Sequence, residues 1–280
     1  MSELFDAIPL AIVASVPLVL AVQGELLVQR SGLINLGIEG MMLAAAFGAS
    51  LAAGLTKSIA AGVAGGIAGA ALIAFVFGVF AIILRADQIV TGTALNLFVL
   101  GLTAFLYREL QAHVTSPLAV SNDVMPPIAW IAIPMLLGVF MWRTSTGLRV
   151  RAAGENPEAL TAVGRSVAAH RWLALSMEVL LAGLAGTHLA LVLSDGFAEN
   201  MTAGRGYIAL AVVIFGRWKV KGALVGSAVF GIAAAVQYAM QAAGNSLQFH
   251  LFLMTPYVVT LLILCGITGR VRAPEALGKH

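Results

Sequence analysis

Residues 142–172, WRTSTGLRVRAAGENPEALTAVGRSVAAHRW, form the one long polar interruption in an otherwise apolar chain. Five of the 16 Lys and Arg residues of the chain lie in it: Arg143, Arg149, Arg151, Arg165 and Arg171. Basic residues that flank apolar spans are retained on the cytoplasmic side during membrane insertion. Residues 143–171 are therefore predicted to be a cytoplasmic loop between two membrane spans.

Start and stop signals for a short helix lie inside this loop. Asn156 can cap a helix that begins at Pro157, with Glu158 in the first turn near the positive end of the helix dipole. Gly164 follows the predicted end at Val163. Such a helix is too short to fold alone and too polar to insert. It has the form of a docking element, and the alternative is a surface linker that happens to contain a helical turn.

Composition places the whole chain in a membrane. With 60% hydrophobic and 10% charged residues and a mean hydropathy of +0.96 over 280 residues, the chain is far more apolar than a soluble domain. We expect an all-α, polytopic helical bundle in which residues 1–280 form a single domain with room for eight to ten spans. The net charge of +3 comes from inter-span loops, so no nucleic-acid partner is expected. The single cysteine, Cys265, excludes disulfides and cysteine-based metal sites, and no cofactor, metal or catalytic residue is predicted.

Hydropathy and turn signals predict about nine spans, with the N-terminus outside and the C-terminus in the cytoplasm. Alternation from an external N-terminus places five segments inside, and all five are basic: Arg30, Arg85, the long loop, residues 217–221 and the tail. Lys57 is the main exception. The second predicted span could instead be a re-entrant segment, and the seventh is short before the basic residues that follow it. The predicted spans cover residues 8–28, 33–54, 59–84, 89–107, 128–142, 172–193, 207–215 with flanking residues, 223–243 and 249–267.

Glycines in two of the predicted spans have spacings that favour close packing of helices. Gly62 with Gly66, and Gly65 with Gly69, are interleaved small-residue pairs that favour close helix packing in the third span. Around the start of the second span, the glycines Gly32, Gly37 and Gly40 permit close backbone approach.

Intramembrane polar residues are costly and therefore call for a partner or a cavity. Asn35 and Glu39 are predicted to share one helix face at i, i+4, where they either bond each other or line a pathway. Glu178 is interpreted in the same structural way. His188 has no acidic partner nearby in sequence, so packing is favoured over a proton relay.

A polar stripe marks the fourth span. Five of its residues fall on one helix face: Thr93, Asn96, Leu100, Thr103 and Tyr107. All of them except Leu100 carry a polar group. Gln237 and Gln241 form a shorter polar pair on the eighth span. We expect the stripe to face a translocation path; the alternative is that these groups only bond neighbouring helices, at about 0.6 kcal/mol each. A path lined by neutral groups suits a neutral, hydroxyl-rich solute better than an amino acid.

Four stretches give the chain a resemblance to a known family: QRSGLINLGIEGMM at 29–42, ADQIVTGTALNLFVLGLTAFLYR at 86–108, GLRVRAAGENPEALTAVG at 147–164 and AGRGYIALAVVIFGRWKVKGALVGSAVFG at 203–231. The chain resembles permeases of ATP-binding cassette (ABC) importers for branched-chain amino acids, simple sugars and nucleosides. It looks most like the shorter permease of nucleoside and simple-sugar importers. The resemblance implies a bacterial inner-membrane location and no enzymatic activity of its own.

The resemblance also implies three protein partners: a cassette ATPase, a second related permease that completes a heterodimer, and an extracytoplasmic substrate-binding protein. No Walker A motif is found, so ATP hydrolysis is expected in the partner ATPase. A nucleoside is the first choice of substrate, with a simple sugar second and a branched-chain amino acid as a further alternative. A rival class is an ion-coupled secondary transporter using Glu39, Glu178 and His188; another is a structural or channel-forming subunit.

By the same resemblance, residues 143–171 correspond to the coupling loop that contacts the ATPase. The predicted translocation residues are Asn35, Glu39, Thr93, Asn96, Thr103 and Gln237. In the coupling loop, four residues are predicted to set the start of the short helix: Gly154, Glu155, Asn156 and Pro157. Two small residues of that helix, Ala159 and Ala162, are predicted to face a groove in the ATPase.

Overall fold

The computed structural model describes residues 2–114, 124–242 and 272–279, with side chains within 11–110, 124–233 and 272–279. Within these ranges the regular secondary structure is helical, and turns and irregular chain join the helices. This confirms the all-α prediction. The helices, numbered here in chain order, are α1 Ser2–Arg30, α2 Ile38–Thr56, α3 Ile59–Ile83, α4 Gln88–Val114, α5 Met125–Arg143, α6 Ser145–Glu155, α7 Pro157–Ala162, α8 Val167–Leu191, α9 Arg205–Phe215 and α10 Val220–Ala242.

Six of these helices are long and apolar enough to cross a membrane, within the described ranges: α1 to α5 and α8. They match the first six predicted spans, apart from the start of the second. The seventh predicted span corresponds to α9, which has only 11 residues. The eighth corresponds to α10, and the ninth, at 249–267, lies outside the described residues.

The second span starts later than predicted. Residues 31–37 form turns and extended chain, and the helix begins at Ile38 rather than Leu33. Side chains of neighbouring helices replace the missing intrahelical bonds: the Ile34 N–H donates to Gln88 Oε1 at 2.7 Å, and the Asn35 N–H to Glu25 Oε1 at 3.4 Å. Non-helical backbone is tolerated at membrane depth only when protein groups satisfy it in this way.

The centre of the bundle is formed by α1 and α2, whose apolar windows are 83% and 72% buried, whereas those of α4 and α5 are only 22% and 28% buried. Helix α2 packs on α3, α4 and α8, and α1 packs on α8 and α10. The interleaved glycines of α3 serve two neighbours: Gly65 and Gly69 lie against the backbone of α2, and Gly62 and Gly66 face residues of α8 as well as α2. The small-residue prediction for this span is confirmed.

The segments predicted to be cytoplasmic gather at one end of the bundle. Arg30 forms an ion pair with Glu155 at 2.9 Å, and its Nε donates to the carbonyl of Trp218 at 2.8 Å. Arg171 donates to the carbonyl of Lys279 in the tail at 2.9 Å, and Arg85 is close enough to act on it electrostatically. We call this the Arg30 end.

Candidate functional site

Two of the spans are interrupted at the same depth. Helix α9 rises only about 16 Å, roughly half of a hydrocarbon core, and it ends near Trp218 at the Arg30 end. The segment before it, 192–204, runs from the opposite end, where Phe197 packs edge-on against Phe47 and Tyr107. Helix α2 is likewise preceded by the non-helical residues 31–37. The N-terminal ends of α2 and α9 meet inside the bundle.

Glu39, in the first turn of α2, closes the start of α9. Its Oε1 accepts the Gly204 N–H at 2.8 Å, and its Oε2 accepts the Gly206 N–H at 2.6 Å. The first N–H groups of a helix have no intrahelical partner and lie at the positive end of its dipole, so a carboxylate is stabilised there. A Cβ at Gly206 would overlap the Glu39 backbone. The position therefore requires glycine for this approach.

Asn96 performs the corresponding task for α2. Its Oδ1 accepts the Gly40 N–H at 2.8 Å, and its Nδ2 donates to the Leu36 carbonyl at 2.7 Å and to the Tyr207 hydroxyl at 2.8 Å. One amide thus bonds the start of α2, the segment before it and the start of α9. We call the group formed by Leu36, Glu39, Gly40, Asn96, Gly204, Gly206 and Tyr207 the Glu39–Asn96 junction.

The predicted pairing of Asn35 with Glu39 on one helix face is wrong. Asn35 precedes α2, because the helix begins at Ile38, and its Nδ2 donates to Glu178 Oε2 at 2.7 Å. Glu39 instead bonds the start of α9. The error came from extending the helix through Gly32 and Gly37, where the chain is turned.

A second buried polar group links α1, α8 and residues 31–37. Glu25 and Glu178 are fully buried; Asn35 bridges them, bonding Glu25 through its N–H and Glu178 through its side chain. Gln29 Nε2 donates to Glu25 Oε1 at 2.8 Å, and its own Oε1 accepts from Trp218 Nε1 at 2.7 Å. Sequence reasoning missed Glu25 and Gln29, although their i, i+4 spacing inside an apolar span was a usable signal.

The predicted polar stripe of α4 divides between two environments. Asn96 and Thr103 are buried, with Thr103 bonding the Val99 carbonyl of its own helix at 2.7 Å. Thr93 is exposed and bonds the Ile89 carbonyl of the same helix. Leu100 is 37% exposed. The side chain of Gln237 lies outside the described residues, although its backbone belongs to α10.

The coupling loop contains the predicted short helix. Asn156 caps α7 by accepting the Ala159 N–H at 3.0 Å, Pro157 is its first residue, and Gly164 has a φ of +70° after the end. Leu160 is buried and anchors the helix. Ala159 and Ala162 are exposed on the same short helix, which leaves a small-residue surface open to solvent.

Two residues assigned to the start of α7 belong instead to another helix. Helix α6, Ser145–Glu155, was not predicted; Thr144 caps it by accepting the Gly147 N–H at 3.0 Å. Gly154 and Glu155 are its last residues, so only Asn156 and Pro157 set the start of α7. The cap at Thr144 was missed because a run with two arginines and no acidic residue in its first turn was interpreted as loop.

These features define a polytopic membrane protein: a bundle of apolar spans in which the N-terminal ends of α2 and α9 meet, with a capped polar helix at one end. The chain belongs to the family of permease components of branched-chain amino acid transport systems, whose model matches residues 8–264. It is a multi-pass protein of the inner membrane. The resemblance found in the sequence is thereby confirmed.

Individual relatives cover nearly the whole chain. The guanosine ABC transporter permease NupQ of Bacillus subtilis is 30% identical over 97% of this chain and 94% of its own. The nucleoside ABC transporter permease NupC of Lactococcus lactis is 30% identical over 96% and 94%, and the putative glucose ABC transporter permease TsgC13 of Haloferax volcanii 33% identical over 89% and 83%. No solved structure matches the chain.

Proposed function

We propose that this chain is the permease subunit of an ABC importer and that its solute is a nucleoside. The observation that carries the proposal is the end-to-end similarity to permeases described as transporting guanosine and nucleosides. The chemistry of the junction agrees with it. The one carboxylate there, Glu39, is occupied by two backbone N–H groups, and the remaining groups are neutral.

The solute path is proposed to pass the Glu39–Asn96 junction. Broken helices whose N-terminal ends meet within the membrane are a recurring feature of transporter binding sites. Asn96 and Thr103 lie on one buried face of α4, and Asn35 lies on the side of the Arg30 end, next to Glu178. Thr93 flanks the junction, and Gln237 is proposed to approach from α10. Separation of the N-terminal ends of α2 and α9 would open these groups to the solute.

The ATPase is proposed to dock on α7. The exposed Ala159 and Ala162 carry no long side chain that would resist insertion into a groove. Leu160 and the bonded residues around it hold the helix to the bundle, so a force applied to α7 reaches the spans. Hydrolysis of ATP is assigned to that partner.

A second permease is proposed to cover the most exposed faces of the bundle, forming a heterodimer, and a substrate-binding protein to deliver the solute from outside. Helices α4 and α5 are the least buried of the spans, and their outer faces carry large apolar side chains. An external N-terminus and a cytoplasmic C-terminus are supported by the gathering of five basic segments at the Arg30 end, since basic segments remain inside.

Cysteine labelling in a Cys265→Ala background tests this orientation. A cysteine placed near the N-terminus should react with an impermeant reagent added from outside, and cysteines at Arg149 and Arg272 only from the cytoplasmic side. Labelling of the N-terminal cysteine from the cytoplasm alone would reverse the proposed N-terminal placement.

Competition for uptake tests the solute assignment. Cells that express the complete transporter should take up labelled nucleoside, and unlabelled nucleosides should suppress this uptake. A simple sugar is the second candidate, because one relative is described as a putative glucose permease. Competition by branched-chain amino acids, with none by nucleosides or sugars, would contradict the proposal.

A further inference from the structure

Three segments that are distant in sequence meet at the Arg30 end. The tail donates two backbone bonds: the Ala276 N–H to the Gly154 carbonyl at 2.8 Å, and the Gly278 N–H to the Gly32 carbonyl at 3.0 Å. It also accepts one, from the Arg171 side chain to the Lys279 carbonyl at 2.9 Å. The tail therefore bonds α6, the start of residues 31–37 and α8 at once.

Gly32 and Gly154 also touch each other without intervening side chains. A Cβ at Gly32 would lie 3.2 Å from both the Gly154 Cα and the Ala276 oxygen, and a Cβ at Gly154 would overlap the Arg30 carbonyl oxygen. Gly32 has a φ of +92°, which glycine adopts without strain. Two backbones packed this closely have no flexible side chain between them to absorb a displacement.

A charged contact lies beside the glycine contact and reinforces it. Glu155 follows Gly154, and its carboxylate pairs with Arg30 at 2.9 Å. Arg30 also donates to the Trp218 carbonyl, at the end of α9. The end of α1, the end of α6 and the end of α9 are thus fixed to one another.

The contact between Gly32 and Gly154 lies between the coupling helix α7 and the Glu39–Asn96 junction. Gly154 lies three residues before Pro157, the first residue of α7. Gly32 lies at the beginning of residues 31–37, which lead directly to Glu39 in the first turn of α2. Two bonded routes therefore lead from the coupling helix toward the Glu39–Asn96 junction: the Glu155–Arg30 ion pair, and the tail, which bonds both Gly154 and Gly32.

We propose that the tail, residues 274–279, is a positioning element that clamps Gly32 to Gly154, so that a displacement of α7 moves residues 31–37 and the start of α2. This inference rests on the proposed docking of the ATPase to α7. It assigns to the tail a role in transmitting motion rather than in binding the solute or the ATPase. Without the clamp, the ATPase would still dock and turn over, but its motion would reach the junction less completely.

Two variants remove the clamp in different ways. Ala276→Pro eliminates the N–H that bonds Gly154, because proline has no such donor. Truncation after Ala273 removes the entire tail. Glu275→Ala is the matched control, since Glu275 is exposed in the same turn and its neighbour keeps its N–H group.

The experiment reconstitutes the complete transporter in proteoliposomes and measures ATP hydrolysis and nucleoside uptake together. For both variants, ATPase recovery and hydrolysis should stay close to wild type. Solute imported per ATP should fall on the order of 10-fold in Ala276→Pro, the effect of losing about one net backbone hydrogen bond, and further in the truncated chain, which loses both backbone bonds. Glu275→Ala should keep the wild-type ratio.

Three results would overturn the inference: uptake and hydrolysis falling in proportion, both remaining unchanged, or both variants failing to recover the ATPase. The first and third results would mean that the tail is needed for assembly of the transporter, and the second that the tail has no role in transport. Failure of the wild-type chain itself to recover an ATPase would instead contradict the proposed function, so the two failures can be told apart.

Discussion

The coupling helix α7 and helix α9 at the Glu39–Asn96 junction both have N–H groups at their start that need an acceptor. The two acceptors lie at very different distances along the sequence. In α7 the cap is Asn156, which accepts the N–H of Ala159 three residues later. In the junction, Glu39 caps a helix that starts more than 160 residues away. A locally capped helix keeps its form wherever it moves. A helix capped by another span depends on the position of that span.

The two regions also differ in exposure. Ala159 and Ala162 are open to solvent, whereas Glu39 and Asn96 are only 7% and 6% exposed. The coupling helix is thus suited to meeting a partner, and the junction to holding two broken spans together until they are moved. The variants below separate these tasks, in order of decreasing expected effect.

Glu39→Ala should have the largest effect on the junction. It leaves the N–H groups of Gly204 and Gly206 without their acceptor. The Gly206 N–H is buried, and an unsatisfied buried group costs about 1–3 kcal/mol. We expect a lower unfolding temperature for the detergent-solubilised complex and little remaining uptake.

Glu39→Gln is the matched control for that variant. The amide keeps the length of the side chain and one carbonyl oxygen, so one of the two bonds can persist, and both measured quantities should fall between those of wild type and Glu39→Ala. Wild-type stability and uptake in Glu39→Ala would show that the carboxylate does not hold α9.

Asn96→Leu should have a smaller but clear effect, because only neutral hydrogen bonds are lost. The Gly40 N–H loses its acceptor, and the Leu36 carbonyl loses its donor. Thr91→Val is the comparison on the same helix: the Thr91 hydroxyl bonds the Asp87 carbonyl one turn earlier and Thr91 is not among the proposed path residues, so uptake should stay near wild type. An unchanged transport rate in Asn96→Leu would remove α4 from the solute path.

Asn156→Ala should have the smallest effect of these three changes. It removes the cap of α7 at a cost of about 1 kcal/mol, and the helix is still anchored by Leu160. We expect a partial loss of uptake with normal membrane insertion. Asn156→Asp preserves a capping oxygen and should restore most of the activity; equal loss in both variants would mean that the side chain acts on something other than the cap.

The same distinction between local and distant partners explains which features were predictable. The cap, the first proline and the terminal glycine of α7 are local, and the sequence predicts that helix to within one residue. The interleaved glycines of α3 and the long apolar helices are also local patterns. Each of these depends on residues within a few turns of one another.

The junction and the late start of α2 could not be obtained in this way. Asn35 and Glu39 have helical spacing, and nothing near them in sequence shows that Gln88 and Glu25 supply bonds to residues 34 and 35 instead. The partners of Glu39 lie beyond residue 200. Glu25 was overlooked because its partner, Asn35, was predicted to be part of helix α2, whereas Asn35 lies before the start of that helix.

The most direct test of the account is the recovery of the cassette ATPase with the chain, followed by hydrolysis measured with substrate-loaded binding protein. Wild type should recover the ATPase, and nucleoside should stimulate hydrolysis. Ala162→Trp places a large side chain on the exposed face of α7, so it should insert normally but recover little ATPase and show no stimulation. Equal recovery and stimulation in both would contradict the docking of the ATPase on α7.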